Sequence, residues 1–214
     1  LGPSTGDYVM KADSVTYDVK GKIVTATGNV EIDHNGRIVT ADAITYDQDA
    51  DTVTATGNVV MMAPDGAVVF SPRATLSNEM KDGVLEGFRA LIGKNGRLAA
   101  VQATRKGGDK TVMERAVFTT CKICNKPGQR TPLWQVKAYH VVWDETKHKI
   151  IYRDAVLDAF GIPIAYTPYF SQSDPTVKRE TGLLEPDVGS SSTLGSFIKL
   201  PYYISLTDSR DVTI

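Results

Sequence analysis

The stretch TYDVKGKIVTATGNVEI at residues 16–32 is nearly repeated as TYDQDADTVTATGNVVM at residues 45–61, and this repeat limits the possible folds more than any other feature. Ala12 to Ala41 and Gly28 to Gly57 are both 29 positions apart. Each copy reads Ala-Asp-x-(Val/Ile)-Thr-Tyr-Asp, a polar turn, then Val-Thr-Ala-Thr-Gly-Asn-Val. A worn third copy, SPRATLSNEMKDGVLEGFRALI, places Gly87 30 positions after Gly57. In a later cousin, AYHVVWDETKHKIIYRDAVL, Ala138 to Asp154 is the same 16-position step as Ala12 to Gly28. Repeats of this length imply stacked supersecondary units, each unable to bury its apolar face alone.

Each unit reads as strand, turn, strand. Val15 and Tyr17 alternate with polar neighbours; Val24, Ala26, Gly28, Val30 and Ile32 share one face, as do Val53, Ala55, Gly57, Val59 and Met61. Period two over nine residues means a strand with one apolar side. The other side carries Thr25, Thr27, Asn29 and Glu31, which suit water. DVKGK, DHNGR, DQDAD, APDG and GKNGR are turn chemistry, and no stretch reads as a helix. Gly28 and Gly57 would weaken a regular strand, so they predict a bulge or bend, or room for something to approach the sheet. Asp42, Asp47, Asp49 and Asp51 are dense around a turn, but without the DxDxDG pattern they read as a solvated loop rather than a calcium site.

Hydrophobic residues at 42% and a net charge of −1 fit a folded chain of 214 residues and give no electrostatic case for nucleic acid. No apolar run is long enough for a membrane helix. The opening on Leu1 rather than Met suggests a mature chain or a piece of something longer, and the abrupt close in DSRDVTI also looks like a cut. Cys121 and Cys124 form the lone CxxC, in a Gly/Pro/Lys loop among strands. Without a second CxxC or suitably spaced histidines zinc is disfavoured, and no strand-to-helix setting supports a redox motif. A structural or assembly-linked disulfide fits better and implies an oxidising compartment. No catalytic cluster stands out, so no metal, cofactor or enzyme activity is expected. A β-solenoid polysaccharide-active enzyme and a purely structural β-repeat adaptor remain the alternatives.

From Gly161 prolines and aromatics cluster. Then Leu194, Ser196, Ile198, Leu200, Tyr202, Ile204 and Leu206 alternate with a mixed set. One face is long and apolar enough to cross a bilayer, for which about 9–11 tilted residues suffice, and a soluble sheet with one buried face is the alternative. Pro201 interrupts the pattern, since proline cannot donate to a ladder and belongs at an edge or bulge.

With ADSVTYD…ATGNVEI and PYFSQSDPTVKRETGLLEPDVGSSSTLG…LPYY read, the chain resembles the OstA-like LptD family of outer-membrane proteins that assemble lipopolysaccharide (LPS). The resemblance covers nearly the whole chain. It implies an all-β protein: a V-shaped, open-grooved periplasmic β-jellyroll over 1–168, a junction over 169–193, and the first strands of a truncated outer-membrane β-barrel over 194–214. In that family the jellyroll receives LPS acyl chains from a periplasmic bridge protein and passes them to a lateral opening in the barrel, which holds a plug lipoprotein. The groove would be lined by Val15, Tyr17, Val24, Ala26, Val30, Ile32, Ile44, Val53, Ala55, Val59 and Met61. Pro201 matches a proline that weakens the barrel seam where the opening forms. Cys121 matches the periplasmic cysteine that pairs with one in the barrel. The chain departs from the pattern in having Cys124 nearby and in lacking a cysteine near its start, so Cys121 and Cys124 can pair with each other or each with a barrel cysteine.

Energetics favour a hand-over site. Burying one acyl chain of about a dozen carbons yields on the order of 10 kcal/mol at ~0.8 kcal/mol per CH₂. Several chains fully buried would pass the ~20 kcal/mol at which non-covalent affinity saturates, and the lipid would not leave. An open groove with incomplete coverage is therefore expected. Its first strand, near DYVMKADSV, could accept a partner strand by β-augmentation.

Overall fold

A computed structural model describes residues 9–34, 36–77, 81–121, 132–177, 181–184, 187–191, 193, 195–207 and 209–214. Every regular element among them is a strand. The first half comprises β1 (Val9–Lys11), β2 (Ser14–Asp18), β3 (Ile23–His34), β4 (Arg37–Asp47), β5 (Thr52–Met62), β6 (Val68–Ser77), β7 (Asp82–Glu86), β8 (Arg89–Ile92), β9 (Gly96–Ala99) and β10 (Gln102–Lys106). The second half comprises β11 (Lys110–Thr119), β12 (Trp134–Asp144), β13 (Lys149–Ala159), β14 (Ile162–Ser173), β15 (Gly182–Leu183), β16 (Asp187–Ser191), β17 (Gly195–Lys199), β18 (Tyr202–Thr207) and β19 (Arg210–Thr213). The chain falls into two compact units, Leu1–Leu91 with Ala99–Met113 and Ile92–Leu98 with Glu114–Ile214.

In the first unit the meander β3-β4-β5-β6-β7-β10 is antiparallel throughout, and β1 and β2 share the outer edge of β3. Antiparallel neighbours joined by short turns are what the repeat demands, and they exclude the parallel coils of a β-solenoid. Register places Thr16, Thr25, Thr45, Thr54 and Thr75 directly across from one another in one row. Such β-branched ladders fit a pleated, half-wet face. On the other side Val15, Ala26, Ile44, Ala55, Ala74, Leu85 and Ala103 form a second row.

The repeated Gly-Asn is a β-bulge. The register of β3 shifts between Thr27 and Val30, and that of β5 shifts between Thr56 and Val59. Gly28 and Asn29 lie at φ +78° and +46°, and Gly57 and Asn58 at +75° and +45°. Asn29 Nδ2 donates to Asp13 Oδ2 at 3.0 Å, and Asn58 Nδ2 donates to Asp42 Oδ2 at 3.0 Å. The space left by each glycine is taken by the chain's own aspartate. A Cβ on Gly28 would lie 2.8 Å from Asp13 Cβ, and one on Gly57 would lie 2.8 Å from Asp42 Cβ. So of the two readings of these glycines the bulge is the one observed, and what approaches the sheet there is the chain's own carboxylate, from the link before β2 (Asp13) and from β4 (Asp42). The worn copies keep the left-handed backbone: Gly87 and Asp154 sit at φ +55° and +52°.

In the second unit β12, β13 and β14 form antiparallel pairs. The β13–β14 hairpin closes through Phe160 and Gly161, at φ +52° and +81°, the left-handed pair that a tight primed turn requires. Trp134, Val136, Ala138, Val141, Trp143, Ile150, Tyr152, Ala155 and Ala159 are buried there. The single long strand expected over 194–206 is instead two, because β17 ends before Leu200–Pro201 and β18 begins after it. Pro201 lacks the N–H needed to carry a ladder through, and its carbonyl accepts from the Leu184 N–H at 2.9 Å. β17 pairs with β16, and β18 pairs with β15 and β19.

Replacing Gly57 by Ala forces a side chain into left-handed backbone against Asp42. Gly66, at φ +86°, has nothing within 4 Å of an added Cβ and isolates the backbone penalty. Gly57→Ala is expected to cost about 1–3 kcal/mol and more than Gly66→Ala, as read by denaturant midpoint. Equal costs would remove the aspartate contact from the account.

Candidate functional site

The residues expected to line a groove fall on shared cross-strand rows. Val15, Ala26, Ile44 and Ala55 are direct partners in sequence across β2, β3, β4 and β5. Tyr17, Val24, Tyr46 and Val53 form the next row. Beyond the bulges, Ile32, Val39 and Met61 make a third row, and Val30 faces Ala41 while Val59 faces Ser71. All eleven expected residues therefore belong to one apolar side of the first unit.

Burial divides them. Ala26, Val30, Ile32, Ile44, Ala55 and Val59 are buried and form the floor. Val24, Val53 and Met61 are half-buried. Val15 and Tyr17, on the edge strand, are each 52% exposed, and Met10 beside them is also exposed. The face thus becomes progressively open toward β1 and β2, where no further strand covers it among the described residues. Two of the six floor residues are alanines, Ala26 and Ala55, and along their row Ala74 and Ala103 continue the small side chains. Val39 and Ala41 belong to the same buried side and were not expected from period two. The bulge explains the omission: from one inward residue to the next across it, β3 runs from Ala26 to Val30 but β4 runs only from Ile44 to Ala41. Alternation along β4 slips by one.

No protein-family model matches the chain. The LPS-assembly protein LptD of Albidiferax ferrireducens is 30% identical over 217 residues, covering 97% of this chain and 22% of that protein. LptD of Bordetella pertussis is 30% identical over 207 residues, covering 96% of the chain and 25% of that protein. LptD of Idiomarina loihiensis is 36% identical over 107 residues, 49% of the chain. The chain is an LptD-like OstA domain. It spans a quarter or less of the length of these relatives. Among solved structures, LptH of Pseudomonas aeruginosa, the LptA-homologous periplasmic component of the lipopolysaccharide transport device, covers 59% of the chain at 15% identity, with a TM-score of 0.41, too low to support a fold assignment.

Outside its apolar face, this LptD-like domain places two further expected residues. Cys121 is half-buried, with its carbonyl accepting from Arg97 at 2.7 Å and its N–H donating to Thr119 Oγ1 at 3.1 Å; it has no disulfide to a described residue. Cys124 lies outside the described residues. Pro201 sits at the break between β17 and β18.

Sequence patterns gave no sign of the polar cluster where β14 ends. Asp174 is 3% exposed, and its carboxylate accepts from Trp143 Nε1 at 3.3 Å, from the Thr176 N–H at 2.9 Å and from the Thr176 hydroxyl. His148 Nδ1 stands 3.7 Å from Asp174 Oδ2. The Asp174 N–H donates to the His148 carbonyl at 2.9 Å. Pro175 then fills the room left by Gly93 and Gly96: a Cβ on Gly96 would lie 2.7 Å from Pro175 Cγ. The direction of the chain leaving β14 is thereby fixed at the start of the stretch that follows. Only the Asp-Pro-Thr order, with its capping chemistry, hinted at this. Nearby, Tyr152 stacks on Phe170 at 5.6 Å, and burial pushes its phenol well above the ordinary value.

Asp174→Asn leaves one oxygen to serve donors that now divide between two. Unsatisfied buried groups cost about 1–3 kcal/mol, so amide exchange over 173–177 should accelerate about tenfold or more in hydrogen-exchange mass spectrometry. Unchanged exchange would show that the cluster does not hold the segment.

Proposed function

We propose that the chain acts in lipopolysaccharide transport and assembly at the outer membrane. Residues 1–168 form a periplasmic OstA-like jellyroll that accepts acyl chains on its apolar side. Residues 169–193 form the junction, and 194–214 begin a transmembrane barrel. The observation that carries this reading is the graded apolar side: a buried centre of Ala, Val and Ile that opens at Val15 and Tyr17 on the edge strand. Acyl chains need apolar area without specific polar partners, and a half-covered face offers that while allowing release. The relatives are named for LPS assembly, not for catalysis, and the hand-over needs no chemical step in this chain.

A periplasmic bridge protein would add a strand at β1 and β2, whose outer edge has no partner among the described strands. Pro201, already at a break in the ladder, would lie at the barrel's lateral opening, with the plug lipoprotein inside. Cys121 and Cys124 would form disulfides that tie the jellyroll to the barrel or to itself.

A photo-crosslinking residue at Tyr17 in the full-length protein should capture lipopolysaccharide, and one at Thr16, on the opposite side, should not. Adducts at neither position in cells that still export the lipid would leave the β-repeat adaptor as the better reading. Val9→Pro should weaken bridge-protein docking by about tenfold or more in a pull-down without unfolding the domain. Undiminished docking would remove β1 as the docking edge.

A further inference from the structure

Strand β14 is an edge of a different kind from β1 and β2. Over its twelve-residue length it pairs with β13, and with no other long strand among the described residues. Ile162, Ile164, Tyr166 and Tyr169 on it are all exposed, Ile162 and Tyr166 at 64% each. A long, apolar, unpaired edge is a template for adding another chain, and folded proteins that keep such an edge blunt it.

The sequence GIPIAYTPYF carries two prolines into this strand, Pro163 and Pro168. Proline is tolerated in a strand only where its nitrogen faces away from the ladder. Their spacing of five positions would put them in opposite phase on a regular strand. The register shows how this is resolved. Pro163 lies across from Asp158, and Pro168, between Thr167 and Tyr169, lies across from the position of Asp154. β14 carries an extra residue between Pro163 and Ala165, where the pairing shifts at Leu157/Asp158. Asp154 and Asp158 are four apart on β13, so the bulge returns both prolines to one phase. That shared phase is the outward one, since β13 is paired on the other. On the free edge each proline removes a donor that an incoming strand would need and sets a ring in its way. The bulge twists the same edge further from flatness. Strands β1 and β2, Val9–Lys11 and Ser14–Asp18, contain no proline.

We propose that Pro163 and Pro168 close β14 to strand addition, so that of the two end strands of the large sheet only the β1/β2 edge accepts a partner strand. The accepting half rests on the docking reading above; the closing half rests on β14 alone. The occupant that β14 would take without its prolines is the β1/β2 edge of a second copy.

The test uses the whole 214-residue chain, compared with Pro163→Thr/Pro168→Thr and with each single Pro→Ala variant, by light scattering across a concentration series. The double variant is expected to self-associate about tenfold or more tightly than the parent, the single variants to fall between, and Val9→Pro added to the double variant to restore the parent's mass. A double variant and single variants with the parent's mass would overturn the proposal. So would a parent chain that itself cross-links to a second copy through a photo-reactive residue at Tyr166. Bridge-protein docking is measured separately by pull-down, and its failure would count against the assembly reading, not against the closure of β14.

Discussion

The contact between an aspartate in one strand, or just before it, and a left-handed Gly-Asn on the next holds the apolar side together. Each bulge adds a residue, and an added residue would ordinarily send every later side chain to the wrong face. Here the slip is matched across the sheet. Inward positions run from Ala26 to Val30 on β3 and from Ala55 to Val59 on β5, but from Ala41 to Ile44 on β4 and from Ser71 to Ala74 on β6. Long and short steps alternate strand by strand, so the rows stay in line. Two strands make one long-short pair, which is why the repeat contains two strands and why TATGNV recurs at its fixed interval. Asp13 and Asp42 hold the bulges by bonding Asn29 and Asn58.

From that alignment follows the surface that the proposed function needs. An apolar side kept continuous through a bulged sheet can be deep at its centre and open at its edge. Ala26, Ala55 and Ala74 keep one row low, and Val15 and Tyr17 leave the margin uncovered. A closed core would hold lipid too firmly to release, and an unbroken wet sheet would not hold it at all. The two edges extend the same logic, with β1/β2 left free to be paired and β14 interrupted by prolines.

Much of this was readable in the residues. Period two in 24–32 and 53–61, turn signals between them and the repeat interval specified an antiparallel all-β sheet and one apolar side. What was not readable came from non-local geometry. Val39 and Ala41 escaped because alternation slips on β4, the strand facing the bulge and not the one bearing it. The role of Asp13 and Asp42 was present as a constant 16-position step to Asn29 and Asn58, but aspartate in a threonine-rich strand reads first as solvent-facing. Asp174 drew no attention, because its partners Trp143 and His148 are distant in sequence and meet it only after β13 and β14 have folded. Residues 194–206 showed alternation with Pro201 as its one oddity, and the chain forms two strands, β17 and β18, on either side of Leu200–Pro201.

The central claim is that one side of the first unit, and not the other, is the surface that meets acyl chains. Methyl-labelled protein titrated with lipopolysaccharide below its aggregation threshold tests it directly by NMR. Shifts in the Val15, Val24, Val53 and Met61 methyls, with the Thr16, Thr25 and Thr54 methyls unmoved, are the predicted result. Shifts confined to the threonine ladder, or spread equally over both sides, would contradict the account.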